Sequence, residues 1–233
     1  MNKLIIYTIV AAAAFLQACS SQVYNNKSYV KSNDLTGKKI AILPVEVEFT
    51  GRLPKGYSLD KKVAEEETEG VTIQNTIYSQ YLYHSAKGGS RKSVELINVD
   101  QVNSRLKANG IGVRESWSMN PDSLGKLIGA DLVLKVRIKK NRIMSESAAF
   151  GMDVAGNVLD KILSNKNNSS VVPVVNSKTY NIYVQATLSD AKSHEVVTKF
   201  SRQRDADWNR SPETVVKSTG KKIVKKGVVY AQQ

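Results

Sequence analysis

The stretch from Asp131 to Lys139 constrains the fold of this chain more than any other. Leu132, Leu134, Val136 and Ile138 alternate with Val133, Lys135, Arg137 and Lys139. Side chains on a strand alternate sides, so one face of this strand is buried and the other is basic. Just before it, Asn120-Pro121-Asp122 forms a cap-then-Pro helix start, Leu124, Leu127 and Ile128 turn inward, and Gly129 stops the helix. A helix that feeds straight into a half-buried strand is the building step of a layered α/β fold.

The same patterns recur along the chain. Lys38 to Val45 is a short apolar run of the buried-strand kind, with Pro44 marking its end. A loop containing Gly and Pro (51–56) leads to a helix over Leu59 to Tyr83. Its acids Glu65, Glu66, Glu67 and Glu69 suit the positive end of the helix dipole, and their contiguity predicts a solvated face. Val63, Val71, Ile77, Tyr78 and Tyr81 supply an imperfect inner stripe. After Gly88-Gly89, Val94 to Val99 reads as a strand, and Asp100 caps a short helix that Asn109-Gly110 ends. Tyr180, Ile182, Val184, Ala186 and Leu188 alternate again, and a turn at Asp190 to His194 returns the chain through Val196 to Phe200 as a β-hairpin.

Ser211-Pro212-Glu213 opens a last helix. Val215, Val216, Thr219, Ile223, Val224 and Val228 lie on one side, together with Gly220 and Gly227, which would allow close approach to the sheet. Lys217, Lys221, Lys222, Lys225 and Lys226 lie on the other. The order is β-α-β-α-α-β followed by a hairpin and a helix. It predicts an α/β fold: a mixed β-sheet sandwiched by helices, parallel where helices connect strands and antiparallel at the hairpin. With 233 residues, we expect a single α/β domain over 38–233 with an insert at 144–177.

The N-terminus reads as an address. Lys3 is followed by an apolar run from Leu4 to Phe15, too short to span a bilayer, and then by Leu16-Gln17-Ala18-Cys19. This resembles a bacterial lipoprotein signal peptide (1–18), with cleavage before Cys19 and acylation of its sulfur and amino group, palmitate among the chains. Each buried CH₂ contributes about 0.8 kcal/mol to such an anchor. Cys19 is the sole Cys of the sequence, so acylation would leave no thiol in the folded part, as suits an oxidising compartment. Residues 19–37 then read as the lipidated Cys and a flexible tether, rich in Ser, Asn and Lys, with a coil reach of about 20 Å. No acid follows Cys19 directly, which by resemblance points to the outer membrane, periplasmic face.

Four stretches carry a wider resemblance: the Lys39-Ile40-Ala41-Ile42-Leu43-Pro44 strand, the long first helix, Leu127-Ile128-Gly129-Ala130-Asp131-Leu132-Val133-Leu134 before a strand, and Leu188-Ser189-Asp190-Ala191-Lys192-Ser193-His194-Glu195-Val196-Val197 at a hairpin. Together they resemble one superfamily of bacterial envelope lipoproteins. It includes the curli-secretion lipoprotein CsgG, the peptidoglycan-synthase activator LpoB, the TolB N-terminal domain and GNA-type relatives. The resemblance covers about Lys38 to Tyr230 in element order and departs where His194 replaces the usual turn Gly. It implies no active site and a role in assembling, secreting or regulating by contact. In the secretion member, insertions supply pairs of membrane-crossing strands of about 10 residues. Here Met144 to Ser177 reads instead as one amphipathic helix (Gly151, Ala155, Val158, Leu159, Ile162, Leu163), a polar loop, and an apolar run broken by Pro173.

Catalytic motifs are missing. His84 and His194 have no Cys or carboxylate pair at metal spacing, and neither a nucleophile elbow nor a phosphate-cradling Gly loop is present. We expect no enzyme, no cofactor and no metal. The excess of 34 Lys and Arg over 21 Asp and Glu suits, in an exported protein, anionic lipid or wall polymer rather than nucleic acid, for which interleaved aromatics are too sparse. Lys135, Arg137, Lys139, Lys221 and Lys225 form the candidate basic docking face, and Trp117 and Trp208 are candidate interface residues. The expected protein is a non-catalytic accessory, adaptor or regulator held to the membrane by its lipid and docking an envelope protein or an anionic wall or lipid partner. The alternative is an oligomeric component of a curli-like secretion or export assembly, with homo-oligomers formed by the chain itself.

Overall fold

The computed structural model describes residues 21–54, 56–85, 95–145, 147–149, 177–207 and 211–226. Cys19, most of the expected insert, Trp208, Gly227 and Val228 lie outside them. Seven strands form one mixed sheet: β1 (Gln22–Asn25), β2 (Lys39–Ile42), β3 (Glu46–Gly51), β4 (Glu95–Leu96), β5 (Leu132–Arg142), β6 (Lys178–Asp190) and β7 (Val196–Asp207). The order across it is β1-β7-β6-β5-β2-β4, with β3 also on β5. Helices given in full by the described residues are α1 (Lys27–Ser32), α2 (Leu59–Ser85), α3 (Val99–Ala108), α4 (Val113–Ser118), α5 (Pro121–Ile128) and α6 (Pro212–Lys226). β2, β3 and β4 join by parallel pairing, while β5, β6, β7 and β1 are antiparallel, as expected.

The two faces of β5 divide the core. Leu132, Leu134, Val136 and Ile138 join Ile182, Val184, Ala186 and Phe200 beneath α2 and α6, which contribute Ile73, Ile77, Tyr81, Val215, Ile223 and Val224. On the other side, Val133, Ala41 and Leu43 pack against Val102 and Leu106 of α3 and Leu124 and Ile128 of α5. That second layer stops short. Over β6 and β7 the same face carries Tyr183, Gln185, Lys199 and Gln203, and no described helix covers it. Antiparallel strands tolerate one wet face in this way.

Several expectations are corrected. Pro44 marks the end of β2 as expected, but a further strand follows that was not: Leu43 N–H donates to Leu134 O (3.1 Å), Val45 N–H turns to Gly70 O on α2 (3.1 Å), and pairing with β5 resumes as β3 along Arg137 to Arg142. A proline without an N–H forces this break in the ladder. The strand expected over Val94 to Val99 is only Glu95–Leu96 within the described residues, because Asn98 caps α3 by accepting from Asp100 N–H (2.8 Å), so Asp100 lies inside the helix. Gly220 faces Ile77 of α2, at an ordinary 3.6 Å for an added Cβ, and not the sheet. On α2 the buried stripe is Glu66, Gly70, Ile73, Gln74, Ile77, Tyr81 and His84, which keeps helical spacing but admits polar residues. Gln74 earns its place by donating to Ile42 O (2.7 Å) and exchanging hydrogen bonds with Asn103.

The largest correction concerns the expected tether. Gln22 to Asn25 pair antiparallel with Thr198 to Ser201 at the sheet edge, and Asn26 caps α1 through a bond from Tyr29 N–H (3.0 Å). Tyr29 and Leu35 are buried. The Tyr29 hydroxyl donates to Asp190, and Lys38 Nζ reaches both that carboxylate (3.1 Å) and the Tyr29 oxygen (2.8 Å). Asp190 also accepts from the N–H groups of Lys192 and Ser193 (2.7 and 2.8 Å), which shapes the hairpin turn. In that turn His194 takes φ 62°, the left-handed conformation the resemblance assigns to Gly. A segment poor in apolar residues is thus folded by one edge strand and two buried anchors.

Two outcomes are expected. An added methyl at Gly70 would meet Val45 O at 2.3 Å, so Gly70→Ala should lower stability by about 1–3 kcal/mol despite its helix propensity, read as a lower urea midpoint. Burial raises the Asp190 carboxyl, but its bonds from Tyr29, Ser193, Lys192 and Lys38 together hold it well below the ordinary range. Its contribution is therefore present above the unfolded carboxylate value of about 3.9 and lost as pH falls through the folded one. Denaturation curves below pH 5 should show a shallower acid loss in Asp190→Asn than in the wild type.

Candidate functional site

The sequence-derived docking residues do not share a surface. Lys135, Arg137 and Lys139 lie on the side of β5 that faces away from α2 and α6, whereas Lys221 and Lys225 project from α6 on the opposite side of the sheet. The β5 cations are also engaged. Lys135 donates to Trp117 O (2.6 Å) and Met119 O (2.8 Å), and burial pushes its ammonium below the ordinary lysine range. Arg137 pairs with Glu46 at 2.7 Å and Lys139 with Glu48 at 3.5 Å, each opposite its partner in the β3 register. What β5 alone presents as a basic face is neutralised by β3, a strand that lies just before the expected loop, where no element was expected. Trp117 is half-buried, with the Arg114 guanidinium 5.1 Å from its ring. His84 is buried, and His194 is exposed.

The site the structure does assemble is a cleft between α2, β3 and α6. Its main part holds about 670 Å³ and continues into a second hollow of about 360 Å³. Phe49 of β3, Ile73 of α2 and Val216 of α6 give an apolar floor, and Thr68, Thr72 and Thr76 line one wall. These threonines donate to the carbonyls four residues back (2.8, 2.9 and 3.1 Å), so their hydroxyls are spent on the helix and the wall stays largely apolar. Lys61, Glu65, Glu69, Glu213 and Lys217 form a charged rim.

Beneath that rim, Lys140 is buried, with its Nζ on Glu69 and 5.4 Å from the Phe49 ring centroid. The Tyr57 hydroxyl donates to Glu65, and burial followed by that bond pushes its pKa up. Burial tends to raise Glu213, yet its own N–H, the Ser211 hydroxyl and the Lys140 charge together hold it below the ordinary carboxylate range. Next to the cleft, Glu66 is buried against expectation. It accepts from Phe49 N–H (2.7 Å) and pairs with Arg114 (2.7 Å) and Lys62 (3.3 Å), fixing β3 and α4 to the long helix. The i, i+4 spacing of Thr68, Thr72 and Thr76 was the readable trace of this site, but the wall they face comes from β3 and α6. Among the described residues, no group of three or more His, Cys, Asp or Glu is placed to hold a metal, and no helix is long and apolar enough to cross a membrane.

Removing Glu69 would leave Lys140 buried without its counter-charge. Glu69→Ala should cost about 3 kcal/mol and Glu69→Gln less, a ranking that urea denaturation would read.

No protein-family model matches the chain, and no curated protein matches its sequence. Among solved structures the chain is similar to the PelC dodecamer from Paraburkholderia phytofirmans, at 12% identity, covering 92% of this chain and 99% of that one with a TM-score of 0.43. Lipoprotein GNA1162 from Neisseria meningitidis is 13% identical over 81% of this chain and 96% of its own, with a TM-score of 0.42. The LpoB C-terminal domain from Salmonella enterica is 12% identical over 77% and 91%, with a TM-score of 0.38. None of these likenesses assigns the chain to a family.

Proposed function

We propose that this protein is a lipid-anchored accessory of the bacterial outer membrane, acylated at Cys19 and facing the periplasm, which acts without catalysis by holding a segment of an envelope protein in the cleft between α2 and α6. The cleft carries this reading: an apolar floor of Phe49, Ile73 and Val216 ringed by opposite charges suits an apolar side chain in a polar peptide context. Its acids support binding over proton transfer, because Glu65 is engaged by Tyr57 and Glu69 by Lys140, while Glu213 is held in its charged form. The Leu16-Gln17-Ala18-Cys19 motif supports the address, and the folding of Gln22 onto β7 supports a domain held close to its anchor.

The test is photo-cross-linking in living cells from a benzophenone amino acid placed at Thr72, in the cleft, or at Tyr183, on the open sheet face. A discrete adduct with another envelope protein from Thr72, lost when Thr68→Trp fills the groove, is the expected result. An adduct from Tyr183 alone would move the contact to the open sheet. A ladder of self-adducts would favour the oligomeric assembly. The mass of the N-terminal peptide reads acylation of Cys19 separately.

A further inference from the structure

We propose that the last two turns of α6 seat this domain on anionic lipid headgroups. The inference rests on the reading of Cys19 as the membrane anchor and adds to it which face of the domain meets the bilayer. Lys221, Lys222, Lys225 and Lys226 project from those turns, three of them exposed and Lys222 half-buried. Among the described residues none of the four has a carboxylate partner, in contrast to Arg137 and Lys139 on the sheet. The nearby charge of Arg202, followed by burial, Arg204 and Lys226, holds the Lys222 ammonium below its ordinary range, so the cluster is crowded by further cations. The helix dipole accounts for Lys225 and Lys226 at the C-terminus, but its effect fades within the last turn and leaves Lys221 and Lys222 unexplained.

Position selects the occupant. Lys226 Nζ lies 3.1 Å from the Ser21 hydroxyl oxygen, and Gln22 is fixed in register opposite Ser201 at the sheet edge. Only Ser20 stands between Ser21 and Cys19, two residue steps that span at most about 7 Å. Adding the Ser21 side chain and its contact with Lys226 puts Cys19 within roughly 13 Å of that ammonium, less than two Debye lengths of about 8 Å at physiological salt. Lysines so placed are drawn to an anionic surface, and the anchor keeps that surface at high local concentration whether or not they bind it. A soluble polyanion has no such advantage.

The experiment is an amine-acetylation footprint of the protein purified from membranes and reconstituted in vesicles of phosphatidylethanolamine alone or with a quarter phosphatidylglycerol. Lys221, Lys222, Lys225 and Lys226 should react at least fivefold more slowly in the phosphatidylglycerol vesicles, and 0.5 M NaCl should close that gap. Lys27, Lys31, Lys107 and Lys192, which are exposed elsewhere, should react alike in both. Equal protection in neutral vesicles, protection of the second set instead, or protection by added polyglutamate but not by phosphatidylglycerol would each overturn the proposal. An unmodified Cys19 in the N-terminal peptide would overturn the anchor alone, because the footprint is read on whatever protein floats with the vesicles.

Discussion

The ladder of hydrogen bonds along β5 is the constraint on which the other parts depend. Its eleven residues pair with β6 along their whole length on one edge, and on the other they hold β2 and then β3 in parallel. Both edges are thus satisfied by long pairings, and the alternation of side chains sends one row under α2 and α6 and the other toward α3 and α5. Because register fixes which residues face each other, the same ladder places Glu46 and Glu48 against Arg137 and Lys139. The neutralised sheet face and the cleft floor at Phe49 both follow from where β3 resumes after Pro44.

Around that frame, buried polar groups pin elements that hydrophobic packing alone would leave free to slide. Asp190 binds the N-terminal segment to the hairpin, Glu66 ties β3 and α4 to the long helix, Gln74 joins α2 to β2 and α3, and Lys140 with Glu69 closes the base of the cleft. Each carries a desolvation cost that only a full set of partners offsets. They are consequently directional, and they determine how the helices sit on the sheet.

The strands and helices whose side chains repeat with a clean period were legible in the sequence. β5, the β6–β7 hairpin, α5 with its Pro start and Gly129 stop at φ 70°, and α6 lie where alternation and capping chemistry placed them. β3 and β1 were not legible: Glu46 to Gly51 and Gln22 to Asn25 are short and rich in polar residues, and they become strands only because β5 and β7 offer open edges. The long helix was found, and Ile77 and Tyr81 of its expected stripe are buried, but Glu66, Gly70 and Gln74 were missed because they do not look like core until their partners are present. The cleft had only the threonine spacing as a local trace, because three separate elements build it.

By itself the sequence determined the local periodicities, the α/β class with parallel and antiparallel halves, and the resemblance of Leu16-Gln17-Ala18-Cys19 to a lipoprotein signal, since these depend on residues close together along the chain. Tertiary structure alone decided which charges survive as surface. Arg137 and Lys139 lose their availability to acids some ninety residues earlier, while the lysines at the end of α6 keep theirs beside Ser21. Coulomb interactions act through space at a few ångströms, so a cation's freedom is set by which distant segment the fold brings next to it, a distance that the order of residues does not contain.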